Sequence, residues 1–258
     1  MITKTLLSLA VAASLTGCFL DSDNDDETSS TGTETTETTA ETETEIETTP
    51  EVVTNNVVAI TDSATDDTGE LRYIFDSGLT QGRVALSVVY AEGETESFQI
   101  GLYDSNNSTG SVIADLKMDT GKFSLRDNNG EDFDFTSESN FTEGESVDVV
   151  LTWNTSVATE AGTYTVSIDD VSYGPIKSEN ITPGVEVTSL GIRLADNSKT
   201  AETAVFVDDL AIYSDEAGTA EVFSDDFESY AAGTSLTDDS PYSDKTFSTS
   251  IVELPSDE

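Results

Sequence analysis

The 258-residue chain has no histidine, one cysteine, and only ten lysines and arginines against 52 aspartates and glutamates. Each shortage excludes something. Without histidine, no imidazole is present to take a proton near neutral pH. With Cys18 alone, no disulfide forms within the chain. A formal net charge of −42 repels phosphate, and nucleic-acid binding needs clustered Lys and Arg, so nucleic acid is excluded as a partner. Such acidity suits a secreted protein in salty water, where charges are strongly screened.

The first eighteen residues, MITKTLLSLAVAASLTGC, carry one charge at Lys4, an apolar run from Leu6 to Leu15, and small residues before the cysteine. That is the pattern of a secretory signal peptide over residues 1–17, too short for a spanning helix. Leu15-Thr16-Gly17-Cys18 resembles a bacterial lipobox. The resemblance implies cleavage before Cys18, lipidation of its thiol and new amino terminus, and membrane contact through the lipid alone. Phe19 follows in place of the aspartate that retains such lipoproteins in the inner membrane, so the outer membrane is expected.

Asp21 to Glu51 holds twelve acidic residues and no basic ones, with Ala40 and Ile46 its only apolar side chains. A segment that buries so little cannot offset the entropy of ordering, so residues 18–51 are expected to form a disordered tether. As a random coil the 31 residues from Asp21 to Glu51 span about 30 Å, and like-charge repulsion lengthens the segment further. Residues 52–258 are enough for one domain with a sizeable core.

Along that domain the hydrophobic period is two. LRYIF, RVALSVVY, SFQIGLY, VIADLKM, KFSLRD, VDVVLTW, TYTVSID, LGIRLA, AVFVDDLAIY and TSIVEL are β-type runs rich in Val, Ile, Tyr, Phe and Thr. Turn clusters such as DSNNSTG, RDNNGED and ADNSKT separate them. No amphipathic helix of more than two turns stands out. The expectation is an all-β fold, an antiparallel two-sheet jelly-roll sandwich.

GELRY, FQIGLYDS, GKFSLRDNNG, VDVVLTWN, GTYTVSID, FVDDLAIY and DDFESYAAGTSL together resemble the concanavalin A-like, laminin-G-like jelly-roll modules of bacterial polysaccharide lyases and glycoside hydrolases. In related modules a DDFE-type strand often opens the domain, whereas here Asp225 to Glu228 lies near its end. The resemblance implies a carbohydrate-binding module, with a polysaccharide as partner.

Alternation assigns faces to the candidate contacts. Phe123 and Leu125 turn Lys122 and Arg126 outward, Ile192 and Leu194 turn Arg193 outward, and Val84 with Leu86 leaves Arg83 opposite. Leu71 and Tyr73 do the same for Arg72. Outward arginines also serve as plain solubilising groups, whose ion pairs contribute about 0–1 kcal/mol. The sharper expectation collects Arg83, Gln99, Tyr103, Lys122, Arg126 and Arg193 on one concave sheet face. Arg grips carboxylates, Gln bridges hydroxyls and Tyr stacks on a pyranose ring, which favours an anionic glycan such as alginate or pectate.

Jelly-roll alginate lyases carry an Arg-x-Glu-Leu-Arg strand and a Gln-Ile-His strand. Here the matching pieces are Gly69-Glu70-Leu71-Arg72 and Gln99-Ile100-Gly101, with glycine in place of the family's histidine. Proton abstraction beside a carboxylate needs a base and a neutraliser, so a lyase would rely on Tyr with Gln and Arg. The Glu-x-Asp-x-x-Glu string of laminarinase-type jelly rolls is absent, and EDFDF has acids at the wrong spacing for a glycosidase pair. A non-catalytic module is therefore the leading expectation. A histidine-free lyase and a structural or adhesive surface lipoprotein are the alternatives.

Asp209, with Asp226 and Glu228 about 17 residues on, offers hard oxygen ligands for a structural calcium, which related modules often carry. Surface acids with no ion are the plainer reading of the same residues. Trp153 shares a face with Val147, Val149 and Leu151, which assigns it to the core.

Overall fold

Val147, Val149, Leu151 and Trp153 are buried, whereas Ser146, Asp148, Val150 and Thr152 between them face outward to varying degrees. That alternation is the rule for a strand with one face on a core. The computed structural model describes residues 54–62, 69–94, 96–104, 112–119, 121–126, 132–134, 141–156, 163–177, 183–194, 204–236, 241–243 and 246–255. The signal peptide, Cys18 and the acidic tether lie outside the described residues.

The described residues form fourteen strands and no helix. They are β1 Thr54–Ile60, β2 Glu70–Leu79, β3 Gln81–Tyr90, β4 Phe98–Tyr103, β5 Val112–Asp119, β6 Lys122–Arg126 and β7 Asp132–Asp134. There follow β8 Ser146–Asn154, β9 Thr163–Ile168, β10 Val171–Lys177, β11 Val187–Leu194, β12 Val205–Tyr213, β13 Glu221–Asp225 and β14 Thr249–Pro255. Every pairing is antiparallel. Sheet A runs β10-β9-β8-β3-β12-β1-β14, with β13 also on β12, and sheet B runs β2-β11-β4-β5-β6-β7. The fold is the expected jelly-roll sandwich.

The core lies between the sheets. Sheet A contributes Val84, Leu86, Val88, Val149, Leu151, Trp153 and Val166 among others, and sheet B contributes Leu71, Phe98, Ile100, Leu102, Leu116, Phe123, Leu190 and Ile192. Each fully buried aliphatic or aromatic side chain contributes roughly 1.5–3 kcal/mol. Trp153 is among them, and its indole N–H donates to the Leu79 carbonyl at 3.2 Å, so it is a core residue and no sugar platform.

The first and last strands are neighbours, with Thr54 opposite Pro255 and Ile60 opposite Thr249. On the same edge, β12 pairs with β1 up to Val207 and with β13 from Leu210. Between these two pairings lies a bulge against β3, where Asp209 takes φ of +51°. Aspartate tolerates this left-handed region better than branched residues do.

Beyond the bulge, Phe223 of β13 stacks on Tyr73 with centroids 4.1 Å apart, and Tyr242 meets Phe223 edge-on. Asp225 Oδ2 accepts hydrogen bonds from the hydroxyls of Tyr230 at 3.1 Å and Tyr242 at 3.0 Å, while Oδ1 accepts from the Phe227 amide. Burial, reinforced by the Asp225 charge, pushes the Tyr230 phenol up to about 12 and the Tyr242 phenol higher still. Both therefore stay protonated donors across the ordinary pH range.

Replacing Asp225 with Ala removes the acceptor shared by the Tyr230 and Tyr242 hydroxyls and the Phe227 amide, a loss of about 1–3 kcal/mol. For a domain of this size, each kcal/mol lowers the melting temperature by about 2–4 °C. Tyr230→Phe leaves the other hydroxyl bond intact and is expected to cost less. Equal melting of Asp225→Ala and the parent in calorimetry would show that the carboxylate holds nothing.

Candidate functional site

On sheet B the residues that alternate with the core side chains fall into cross-strand rows. In one row Glu70, Arg193, Gln99, Lys117 and Ser124 are successive neighbours across five strands. In the next, Arg72, Gly191, Gly101 and Asp115 are aligned the same way. Tyr103 stands opposite Ser189 in the third.

Beneath this face lies a buried charge. Arg72 is 0% exposed, and its Nε donates to Glu70 Oε1 at 2.5 Å while Nη1 donates to Ser189 Oγ at 3.1 Å. Its guanidinium also covers the Tyr103 ring, 4.5 Å from the centroid. A buried guanidinium without these partners would leave an uncompensated charge, a loss of about 3–5 kcal/mol.

The two central glycines make this packing possible. A Cβ built on Gly101 would lie 2.6 Å from the Tyr103 hydroxyl, and one on Gly191 would lie 2.9 Å from Arg72 Nη2 and 3.1 Å from the Tyr103 ring. Tyr103 thus folds back over bare backbone, with Arg72 on the ring. This corrects the expectation of a stacking platform. The ring is 1% exposed, and its face meets the guanidinium. Tyr103 fills the room that a side chain at Gly101 would take.

The Tyr103 hydroxyl is buried with no hydrogen-bond partner among the described residues. Burial raises its pKa, Arg193 and Arg72 oppose the shift, and Asp115 and Glu70 reinforce it. It remains a neutral phenol at physiological pH.

Above this floor the face interleaves the cations Arg193, Lys117 and Lys122 with Asp119, and Glu70 and Asp115 lie in the floor itself. The half-buried Arg193 donates from Nε and Nη2 to Gln99 Oε1 at 3.3 and 3.0 Å, which orients both side chains. Lys117 retains 25% of its side-chain exposure and lies 3.7 Å from Asp119. Lys122 is exposed. Arg126 pairs through its backbone with Asp132 in β6, and its side chain lies outside the described part.

Arg83 is not on this face. It belongs to β3 in sheet A, so strand pairing places it on the opposite side of the sandwich from the other five candidates. Sequence reasoning did not include Lys117, Asp115, Glu70 or Ser189 among the contacts. Lys117 was findable, because Leu116 and Met118 flank it in a run already recognised as a strand.

Asp209, Asp226 and Glu228 are not assembled into a metal-holding group. No group of three or more Cys, Asp or Glu side chains with suitable geometry occurs among the described residues. Glu228 Oε1 accepts from the Asn56 amide at 2.9 Å, and Asp226 Oδ1 accepts from the Glu228 amide at 3.2 Å. Beside Asp209, Asp208 accepts from the Asn55 side chain at 2.6 Å, and burial raises its pKa.

Two substitutions test this floor. Gly191→Ala overpacks three buried groups and is expected to cost about 1–3 kcal/mol. Tyr103→Phe removes a hydroxyl that has no partner, so stability is expected to hold or rise slightly. A chemical-denaturation series in which Gly191→Ala is silent, or Tyr103→Phe strongly destabilised, contradicts the packing described.

No protein-family model matches the chain, and no curated protein matches it. Among solved structures it is similar to a tetrameric galectin from the ball sponge Cinachyrella sp., at 11% identity over 56% of this chain and 99% of that one, with a TM-score of 0.41. It is also similar to a heptameric SAP-like pentraxin from Limulus polyphemus, at 9% identity over 63% of this chain and 77% of that one, with a TM-score of 0.42. Sheep galectin-11 gives 12% identity over 52% of this chain and 96% of that one, with a TM-score of 0.36.

Proposed function

We propose that the protein is a carbohydrate-binding module that takes an anionic polysaccharide on the outer face of sheet B. One observation carries this reading. In a chain with ten Lys and Arg against 52 acids, Arg72, Lys117, Lys122 and Arg193 are gathered on a single sheet face around Gln99. Arg193, Lys117 and Lys122 reach solvent and supply charge-assisted donors. Buried Arg72 is neutralised by Glu70 and serves to hold the floor rigid. A uronate chain such as alginate or pectate has the carboxylate spacing and hydroxyls to use such a row.

Arg193→Ala is expected to cost about 1.5–3 kcal/mol of affinity for alginate or pectate, the range of a hydrogen bond to a charged group. Lys122→Ala, on an exposed and flexible side chain, is expected to cost less. Binding weakens as salt rises, because the Debye length shrinks from about 10 Å at 0.1 M to about 3 Å at 1 M. Affinity unchanged in both variants, at low and high salt, removes the basic face from the function.

A second reading rests on the Tyr103 hydroxyl, which has no hydrogen-bond partner among the described residues and lies near the charges of Arg193, Asp115 and Arg72. In a β-elimination, a base takes the proton α to the uronate carboxylate, the C4 oxygen leaves, and a C4–C5 double bond forms. With no histidine in the chain, a tyrosine would have to take that proton and pass it to the leaving oxygen, and Tyr103, 1% exposed, would have to turn outward to reach a substrate. New ultraviolet absorbance from unsaturated ends on incubation with alginate or pectate would establish the lyase. Retention without turnover supports the binding module, and neither result leaves a structural or adhesive lipoprotein.

The lipobox and the acidic segment complete the proposal. A lipid on Cys18 would hold the module at the outer membrane, and residues 18–51 would extend it from the surface. Cys18→Ala is expected to abolish labelling by a palmitate analogue and release the protein from membranes. Unchanged membrane fractionation of that variant would overturn the anchor.

A further inference from the structure

The outer face of sheet A carries a trough distinct from the basic face. Two adjoining depressions, of about 540 and 360 Å³, share Ser87 and Asp209. Together they run from Leu254 on β14 to Ser172 on β10, across β1, β12, β3, β8 and β9. Six strand spacings make this path roughly 29 Å long. That suits an extended chain better than a single small molecule.

The lining is of two kinds. At the β14 end, half-buried Phe206 lies on β12 between small neighbours, Ala59 on one side and Val89 on the other. Beyond it the floor is short hydroxyls and carboxylates: Ser87 donates to Asp148 at 2.8 Å, and Thr152, Thr165 and Ser167 follow. Asp209 enters the trough because the β12 bulge re-aims it, and it lines both halves. At the rim is Arg83, whose Nε is buried without a hydrogen-bond partner and which makes no ion pair among the described residues.

We infer that this trough is a second glycan site, specific for a neutral oligosaccharide. An aromatic face beside carboxylates and hydroxyls matches a pyranose, which offers an apolar ring face and hydroxyl donors at its edge. Asp148, Asp170, Asp208 and Asp209 against Arg83 alone make the trough acidic, so a uronate or sulfate chain is repelled. The inference does not depend on the reading of sheet B.

The test is calorimetric titration of the full chain with laminarihexaose, cellohexaose, maltohexaose and xylohexaose at low and high salt. At least one is expected to bind with little salt dependence. Phe206→Ala is expected to weaken it about tenfold, the upper range for an aromatic contact. Ser167→Arg, which places a long side chain in the trough, is expected to abolish binding without lowering the melting temperature. That variant decides the matter if Phe206→Ala fails to fold. Arg193→Ala on sheet B is expected to leave binding unchanged. Absence of binding by all four at millimolar concentration overturns the inference. So does binding that survives both folded trough variants, or that falls with Arg193→Ala.

Discussion

A guanidinium with no solvent exposure dictates the arrangement of sheet B. Arg72 is committed to Glu70, Ser189 and the Tyr103 ring, and each partner comes through a different constraint. Glu70 is two residues along the same strand, so alternation puts it on the same face. Ser189 comes from β11 and Tyr103 from β4, so two strand registers must be right before the charge is satisfied. A one-residue slip of β11 would turn Ser189 to the core and Leu190 onto a buried cation. The pair thus resists register errors as well as contributing to packing.

The same constraint explains the glycines. Sheets rarely place two glycines opposite each other, because each lacks a side chain to pack and weakens the strand. Here Gly101 and Gly191 make a gap one residue deep, and a tyrosine and an arginine lie in it. The loss of strand propensity is offset by burial of an aromatic ring and by a cation–π contact. The face above is consequently flat and rigid, and it holds Arg193 and Gln99 in one orientation.

The two outer faces differ in electrostatic character. Sheet B sets Arg72, Lys117, Lys122 and Arg193 among Glu70, Asp115 and Asp119, whereas the trough on sheet A is lined by four aspartates and one arginine. In a chain with this net charge, an acidic trough is the common outcome of composition, and a face that gathers cations among its acids is the departure from it. That contrast leads the two faces to be assigned ligands of different charge, and it makes salt dependence the discriminating measurement between them.

Composition and alternation were enough to set the fold class, the core face of each recognised strand, the burial of Trp153 and the outward parity of Arg72, Arg83 and Arg193. These are local properties: a period of two reports which residues share a face, whatever the strand's neighbours. The strands β1, β7, β10 and β13 escaped notice for equally local reasons. VVAI in β1 is short, Gly174 and Pro175 interrupt β10, and β7 and β13 carry acids at strand positions. Strand partnership was not legible. Arg83 and Arg193 have the same sequence signature, yet pairing of β3 with β8 and of β11 with β4 sends them to opposite sides of the molecule. The downward turn of Tyr103 depended on Gly191, 88 residues away in the chain, and the aim of Asp209 on a bulge against β3. Such outcomes follow from contacts between distant segments, whose free energy is realised only when the sheets assemble.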